Sequence, residues 1–117
     1  MVYLETNCTG GGTHFPRLGH PGLESEWCRF IECPSSVTDI DTKDPLQEGI
    51  IFKPIAGNAV YWENMRSDGS GYKESWHAGL PVESGTKIGL NIWNWLQVGY
   101  VPPEQGGQED KERLEGR

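Results

Sequence analysis

The N-terminal half of the chain contains two regions in which apolar and polar residues follow a strand-like pattern. Met1 to Glu5 alternates between two faces and predicts a strand that is already under way at the first residue. Residues 49–55 and 59–63 are apolar runs on either side of a short turn that contains Gly57. Two such runs around a turn predict a β-hairpin. Because an ordinary domain rarely begins in the middle of a strand, we expect that polypeptide upstream of Met1 is missing.

The C-terminal half predicts a second hairpin. The runs 76–82 and 86–93 flank the tripeptide Glu83-Ser84-Gly85, which we interpret as a turn. In the last run the apolar residues share one face, and the opposite face carries Lys87, Gly89, Asn91 and Trp93. Gly and Trp beside Lys and Asn suit the wall of a ligand cavity better than a solvent-facing row. The face formed by Ile88, Leu90 and Ile92 lacks an obvious cover and is expected to promote aggregation.

Composition favours an all-β domain. The 117 residues include 16 Gly and 8 Pro, and only 35% are hydrophobic. This suits one small domain of short strands and many turns rather than a helix bundle. No amphipathic helix is visible. Residues 17–48 have a loop-like composition and predict a long surface excursion outside the core, and residues 101–117 predict a disordered polar tail.

Charge and hydropathy exclude two kinds of partner. Ten Lys and Arg against 17 Asp and Glu give a net charge of −7, so the basic patch that nucleic-acid binding requires is missing. No run approaches the roughly 18 apolar residues of a membrane span, and the N-terminus lacks the pattern of a secretory signal. The sequence therefore predicts neither a nucleic-acid partner nor a membrane segment, and it leaves the compartment and the oligomeric state open.

Three cysteines are too few to predict a disulfide scaffold. Cys28 and Cys33 could close a small loop or remain reduced, and the spacing does not decide between these states. A zinc site that combines them with His14 and His20 is disfavoured, because Cys-x4-Cys is at the loose end of structural zinc spacing. His14 is better explained as an alternating strand residue.

The spacing of His77 and Lys87 suggests chemistry. If residues 83–85 fold the chain back, the two side chains lie on antiparallel strands about 4.8 Å apart and can point into one pocket. A neutral imidazole and an ammonium several ångströms apart suit a ligand that chelates a metal at one end and carries a carboxylate at the other. From spacing alone, a loop-capping His77 and a solvated Lys87 remain the stronger alternative.

Four segments carry a resemblance to a known family. In chain order they are Tyr3-Leu4, then Gly10-Gly11-Gly12-Thr13-His14-Phe15-Pro16, then Pro54 to Val60, and finally His77-Ala78-Gly79-Leu80-Pro81-Val82 with Gly85-Thr86-Lys87 and Trp93. Together they resemble the C-terminal half of the catalytic domain of prolyl 4-hydroxylase α-subunits, which are Fe(II)- and 2-oxoglutarate-dependent dioxygenases. The match runs over roughly residues 2–95 and is most specific from His77 to Trp93.

The resemblance implies a double-stranded β-helix, or jelly roll. Residues 1–100 would be its C-terminal part without the upstream helices and strands, residues 18–48 a loop-rich insertion similar to one in fungal members, and residues 101–117 a tail. The implied reaction consumes O₂ and 2-oxoglutarate, which is decarboxylated to succinate, and hydroxylates a peptidyl-proline substrate. Ascorbate, which such enzymes use to rescue oxidised iron, is implied in the same way.

The resemblance also implies roles for individual residues. His77 matches the distal iron-binding histidine. Lys87 matches the basic residue that binds the far carboxylate of 2-oxoglutarate, where a charge-assisted hydrogen bond is a strong anchor. Tyr3 matches a tyrosine that reaches the same carboxylate, and Asn91 lies at a position that lines the co-substrate.

The chain departs from the family at the iron site. Two His and one carboxylate normally hold one face of Fe(II), and in this family two of the three form a His-x-Asp pair. None of the three histidines is followed two residues later by an acid, since those positions are Pro16, Gly22 and Gly79. We therefore expect the chain alone to have little or no hydroxylase activity. It is expected to be a fragment of a full enzyme, and the alternative is a short protein that keeps a jelly-roll remnant for binding.

Aromatic residues support that alternative. Jelly rolls also serve as lectins, and aromatic rings could form a platform on which a carbohydrate stacks. The candidates are Tyr61, Trp62, Tyr72, Trp76, Trp93 and Trp95. Core packing explains most of these rings equally well, because aromatic side chains dominate small β cores.

Overall fold

The computed structural model describes residues 1–35 and 48–94. In these two ranges the strands are β1 (Val2–Gly10), β2 (Thr13–Phe15), β3 (Ile50–Phe52), β4 (Ala78–Gly79) and β5 (Val82–Leu90). Two short 3-10 helices, Glu26–Arg29 and Lys73–Ser75, are also present. No helix in the described ranges is long and apolar enough to cross a bilayer. The predicted tail, most of the predicted excursion after residue 35 and Trp95 lie outside the described residues.

The strands form two small sheets. In the first, β1 pairs with β5, and in the second the order is β3-β2-β4, with every pairing antiparallel. The predominance of strands and the near absence of helix agree with the all-β class. Both sheets are small and open, so they do not by themselves establish a jelly roll.

The predicted turn at residues 83–85 is wrong, because β5 continues through it. Ser84 and Gly85 pair with Thr9 and Cys8 of β1, and a register shift separates Thr9 from Gly10. Gly85 has a φ of 79° inside the strand. Glycine within a strand commonly marks a bulge, so the residues that signal a turn here accommodate an irregularity in a continuous strand.

The predicted hairpin of residues 49–63 is also wrong, although its turn is present. Asn58 N–H donates to the Ile55 carbonyl oxygen at 3.0 Å, which closes the turn. The segments on its two sides then join different partners. The first contains β3 and pairs with β2, whereas Ala59 in the second bridges to Val2 of β1. A turn signal predicts reversal of the chain but does not select the strand that each arm joins.

The excursion after β2 contributes to the core, contrary to the prediction. Ile31 is only 2% exposed and bridges to Phe52 of β3. Cys28 and Cys33 form a disulfide across this segment, and Lys53 Nζ donates to the Cys28 carbonyl oxygen at 2.7 Å. The segment closed by the disulfide therefore lies along β3 at the edge of the second sheet. The buried side chain of Ile31 and its bridge to Phe52 hold the segment there.

The remaining core is concentrated on β1 and β2. Tyr3 and Phe15 are each 1% exposed, and Thr13 and His14 are buried between them along the chain. On the other side of the first sheet, the apolar face predicted for β5 is exposed to solvent. The exposed fractions of Ile88 and Leu90 are 46% and 47%. Lys87 is the one residue of β5 that is not exposed, so the polar face of this strand approaches the core at that position while its apolar face lies open.

Candidate functional site

β2 is the scaffold of the candidate site, because two of its side chains share one face. Thr13 and Phe15 are two residues apart in a strand, so they point the same way and are separated by about 7 Å. Thr13 Oγ1 and the Tyr3 hydroxyl form a buried hydrogen bond of 2.8 Å. The Phe15 ring stacks on the imidazole of His77, with centroids 5.1 Å apart and planes inclined by 25°. One face of β2 thus contacts both Tyr3 and His77.

The ring of His77 has a defined orientation and tautomer. Its Nδ1 lies 2.7 Å from the Ser75 carbonyl oxygen, which can only accept a hydrogen bond. Nδ1 therefore carries a proton, so in the neutral ring the lone pair is on Nε2. The Trp62 ring packs edge-on against the imidazole at 4.6 Å between centroids. A metal-binding histidine uses this arrangement, in which the second ring nitrogen donates to a backbone carbonyl.

Lys87 reaches the same region from the other sheet. In the β1–β5 register Tyr3 lies opposite Gly89, two residues from Lys87, so Tyr3 and Lys87 share a face of the sheet. Lys87 Nζ lies 5.5 Å from the centroid of the Tyr3 ring and donates to the Gly11 carbonyl oxygen. A side chain at Gly11 would place its Cβ 3.1 Å from Lys87 Cδ, so glycine permits this close approach.

The hydroxyl of Tyr3 remains protonated at neutral pH. Burial raises the pKa of Tyr3 above its ordinary value of 10.0, and the hydrogen bond with Thr13 only partly opposes this effect. A phenol and an aliphatic hydroxyl can each donate a hydrogen bond, and the Lys87 ammonium adds a positive charge. Together these groups have the chemistry that recognises a carboxylate.

We call the chain of contacts from the first sheet to His77 the site row. Its members, in spatial order, are Lys87, Tyr3, Thr13, Phe15 and His77. The hairpin geometry expected for His77 and Lys87 is wrong, because Lys87 lies in the middle of β5 and β4 pairs with β2 instead. The two residues are linked through β2 and Tyr3 rather than as cross-strand neighbours.

Sequence reasoning assigned no role to Thr13 or Phe15. Their alternation around His14 is the signal that could have placed them on one face. His14 lies between them in β2 and is 6% exposed. Its Nε2 lies 2.6 Å from the Glu48 carbonyl oxygen. Asn91 follows the end of β5 and is exposed, and it makes no hydrogen bond within the described residues.

The residues weighed for zinc form no group of metal ligands in the described ranges, although His20 Nε2 lies 3.6 Å from Cys33 Sγ. In residues 1–35 and 48–94 no three His, Cys, Asp or Glu side chains form a group that could hold a metal ion. Cys28 and Cys33 are joined in the disulfide, so neither sulfur is a thiolate ligand. His20 Nε2 lies 3.2 Å from the Glu32 carbonyl oxygen. His77 accordingly offers a single imidazole from this part of the chain.

Two open cavities lie beside His77. One, of about 420 Å³, is lined by Asn64, Gly71, Tyr72, Ser75, Trp76 and His77. The other, of about 450 Å³, lies against the site row at Phe15 and against the Trp62 ring that packs on His77. The segment from Tyr72 to Ser75 contributes to both cavities. Space for a larger ligand is therefore available next to the candidate metal-binding imidazole.

Comparison with known proteins finds two curated relatives, both from Arabidopsis thaliana. Prolyl 4-hydroxylase 2 is 30% identical over 93 residues, which are 80% of this chain and 28% of that protein. Prolyl 4-hydroxylase 1 is 29% identical over 93 residues, which are 80% of this chain and 27% of that protein. No family model matches, and no solved structure matches.

The aligned region is most of this chain but a small part of each relative. The chain spans little more than a quarter of the length of each of these relatives, so their whole activity is not thereby established for it. The alignment nevertheless extends over four fifths of the chain. The chain is therefore a distant relative of the prolyl 4-hydroxylases.

Proposed function

We propose that this chain supplies the C-terminal part of an Fe(II)- and 2-oxoglutarate-dependent dioxygenase that hydroxylates peptidyl proline. Its two open sheets would belong to a jelly roll completed by polypeptide outside the described residues. The observation that carries the proposal is the site row. It joins the group around Lys87, which suits a carboxylate, to the His77 imidazole, whose Nδ1 donates to the Ser75 carbonyl oxygen; Thr13 and Phe15 of β2 connect the two. The names of the two relatives agree with this assignment.

The residues at hand fit only part of an iron site. His77 fits one position, since its Nδ1 proton is held by the Ser75 carbonyl oxygen. The described residues provide no group of three ligands, so this donor set does not by itself hold Fe(II) for catalysis. We propose that the other two ligands, a His-x-Asp pair, come from polypeptide outside this sequence. The chain alone is accordingly expected to be inactive as a hydroxylase.

The chain's own residues suit the far carboxylate of 2-oxoglutarate. An ammonium has three N–H donors, and Lys87 uses one of them on the Gly11 carbonyl oxygen, which leaves two for a ligand. The Tyr3 hydroxyl can add a neutral donor, and Thr13 orients it. Because Tyr3 is 1% exposed, a charge-assisted bond here is stronger than in bulk water. Asn91 would line the co-substrate, and ascorbate dependence would accompany the completed enzyme.

Calorimetric titration of 2-oxoglutarate into the chain tests the proposal. Lys87→Met is expected to weaken binding about 10- to 100-fold, since a hydrogen bond to a charged group contributes about 1.5–3 kcal/mol. Lys73→Met is the matched control, because Lys73 is an exposed lysine of the second 3-10 helix. Equal affinity for wild type and Lys87→Met would contradict the proposed co-substrate site.

A carbohydrate-binding remnant is the second candidate. Its support is that Tyr61, Trp76 and Trp93 are 82%, 63% and 72% exposed, so core packing does not account for them. Trp62 does not contribute to such a platform, because it packs against Phe15 and His77. Sugar binding that survives Trp76→Ala would remove this candidate.

A further inference from the structure

The segment before His77 lines the 420 Å³ cavity, and it has no part in the proposed 2-oxoglutarate site. Residues 64–72 close on themselves as a small loop, with a bridge between Met65 and Gly71. Tyr72 N–H donates to the Asn64 carbonyl oxygen at 2.9 Å, and Arg66 N–H donates to the Ser70 carbonyl oxygen at 2.7 Å. These bonds fix where the loop presents its side chains, so the wall of the 420 Å³ cavity is formed in advance.

The turn of this loop is stabilised by Asp68. One of its carboxylate oxygens, Oδ1, accepts from the Ser70 backbone N–H at 2.8 Å and from the Ser70 hydroxyl at 2.6 Å. These bonds lower the pKa of Asp68 below its ordinary value, so the carboxylate stays charged and the turn stays closed at neutral pH. Gly69 occupies the tip with a φ of 84°, which suits glycine.

Two aromatic rings of the cavity wall are each covered on one face by a guanidinium. Arg17 Cζ lies 4.0 Å from the Trp76 ring centroid, and Arg66 Cζ lies 4.3 Å from the Tyr72 ring centroid. A cation over one face of a ring restrains the ring and leaves the other face to other contacts. Trp76 is nevertheless 63% exposed. An aromatic side chain that is both restrained and exposed is suited to bind a ligand at low entropic cost.

Residues 15–17 connect the wall of the 420 Å³ cavity to the site row. Phe15, the last residue of β2, contacts His77, and Arg17, two residues later, contacts Trp76. His77 and Trp76 both line the 420 Å³ cavity. A ligand chain that occupies this cavity therefore passes Trp76 next to the imidazole that we assign to the metal.

We propose that Trp76 and Tyr72 form a subsite for an extended, proline-containing polypeptide. This subsite binds peptide residues that flank the residue that reacts near His77. This inference rests on the proposed function, which it deepens by naming specificity-determining residues. Aromatic-lined grooves bind left-handed extended peptides, whose conformation is restricted before binding and whose carbonyl groups lack internal hydrogen bonds. Within the described residues the Trp76 indole N–H makes no hydrogen bond, so it can donate to such a carbonyl.

Fluorescence polarisation with a labelled peptide of ten alternating Ala and Pro residues tests the subsite. Trp76→Ala is expected to weaken binding at least tenfold, as truncation of a central aromatic contact commonly does. Trp27→Ala is the matched control, because Trp27 is 56% exposed but lines neither cavity. Replacing the prolines by glycine in the peptide is expected to weaken binding to the wild type, since it removes the restricted conformation.

A second pair of variants tests the guanidinium that covers Trp76. Arg17→Gln should weaken peptide binding several-fold, whereas Arg29→Gln should not, although Arg29 also lies over an aromatic ring, that of Phe30, at 5.4 Å. Tyr72→Leu should weaken binding as well. If the Trp27 and Trp76 variants bind the peptide equally, or if oligosaccharides bind through Trp76 and the peptide does not, the subsite proposal is overturned.

The two proposals fail independently. 2-Oxoglutarate binding that depends on Lys87 together with peptide binding that is indifferent to Trp76 would overturn the subsite and leave the dioxygenase assignment intact. Peptide binding that depends on Trp76 without any 2-oxoglutarate binding would support the subsite as a peptide-binding site and contradict the dioxygenase assignment.

Discussion

The hydroxyl of Tyr3 and Oγ1 of Thr13 lie 2.8 Å apart, and this buried hydrogen bond joins the β1–β5 sheet to the β3-β2-β4 sheet. Tyr3 belongs to β1 and Thr13 to β2, on opposite sides of the glycine-rich connection. The bond places the carboxylate-recognising groups around Lys87 on the same face of β2 as Phe15 and His77. The geometry of the candidate site therefore depends on a contact between sheets rather than within one.

A double-mutant cycle measures this contact. Thr13→Val leaves the Tyr3 hydroxyl buried without its partner, so we expect a loss of about 1–3 kcal/mol in the free energy of unfolding. Tyr3→Phe removes the hydroxyl, and the double variant should be more stable than the sum of the single losses predicts, by about 1 kcal/mol. Urea denaturation provides the three values. Strictly additive losses would contradict a hydrogen bond between the sheets.

The raised pKa of Tyr3 predicts alkaline sensitivity. A folded-state pKa above the ordinary value of 10.0 means that the neutral phenol is favoured in the folded protein. The resulting stability is fully present below about pH 10 and is lost as the pH rises through the folded-state pKa. Ultraviolet titration should therefore reveal a tyrosine ionisation with a pKa above 10.0, and this step should be absent in Tyr3→Phe. Tyr61→Phe, which changes an exposed tyrosine, should leave that late step in place.

Gly11 is expected to be intolerant of a side chain. Its φ of 73° disfavours alanine, and the added Cβ would lie 3.1 Å from both Lys87 Cδ and Val82 Cγ2. Gly69→Ala shares the conformational cost, since its φ is 84°, but has nothing within 4 Å of the added Cβ. We expect Gly11→Ala to lower stability more than Gly69→Ala, for which the backbone cost alone is about 1–2 kcal/mol. Thermal denaturation of both variants checks this, and equal losses would show that the approach of Lys87 is not close.

The Cys28–Cys33 disulfide should stabilise the edge of the second sheet. Opening a loop of this size is expected to cost about 2 kcal/mol on the chain-entropy account, and to release Ile31 and the Cys28 carbonyl oxygen that accepts from Lys53. The double variant with serine at both positions should therefore unfold at a lower urea concentration. Thiol titration of the oxidised, unfolded protein should detect one thiol, that of Cys8. Three thiols would contradict the pairing.

Sequence patterns predict the local strands and turns of this fold better than they predict which segments pair. The strand at Met1 to Glu5 is present as the start of β1, and the turn near Gly57 is present as well. The segments that flank this turn do not pair with each other, because β3 pairs with β2 and Ala59 bridges to Val2 of β1. The loop-like composition of residues 17–48 places Ile31 in a surface excursion, yet Ile31 is buried and bridges to β3. Long-range pairing leaves no mark in the local alternation of residues.

The candidate site was predicted by resemblance rather than by spacing. The resemblance to a family singles out His77, Lys87, Tyr3 and Asn91. Contacts link the first three through β2, whereas Asn91 is exposed and outside these contacts. The hairpin used to bring His77 and Lys87 together does not exist, because Gly85 permits an irregular but continuous β5. Thr13 and Phe15, which connect the two ends, have no chemistry that draws attention in a sequence. Their role depends on the face of β2 that they share.

The central proposal is that His77, with its proton on Nδ1, binds a metal through Nε2 on the face of β2 that also contacts Tyr3. Its most direct test is nuclear magnetic resonance of the histidine rings during titration with Mn(II) in the presence of 2-oxoglutarate. The account predicts that free His77 is the Nδ1-protonated tautomer and that its resonances broaden before those of His14 and His20. Broadening centred on His14 or His20, or a His77 protonated at Nε2, would contradict it.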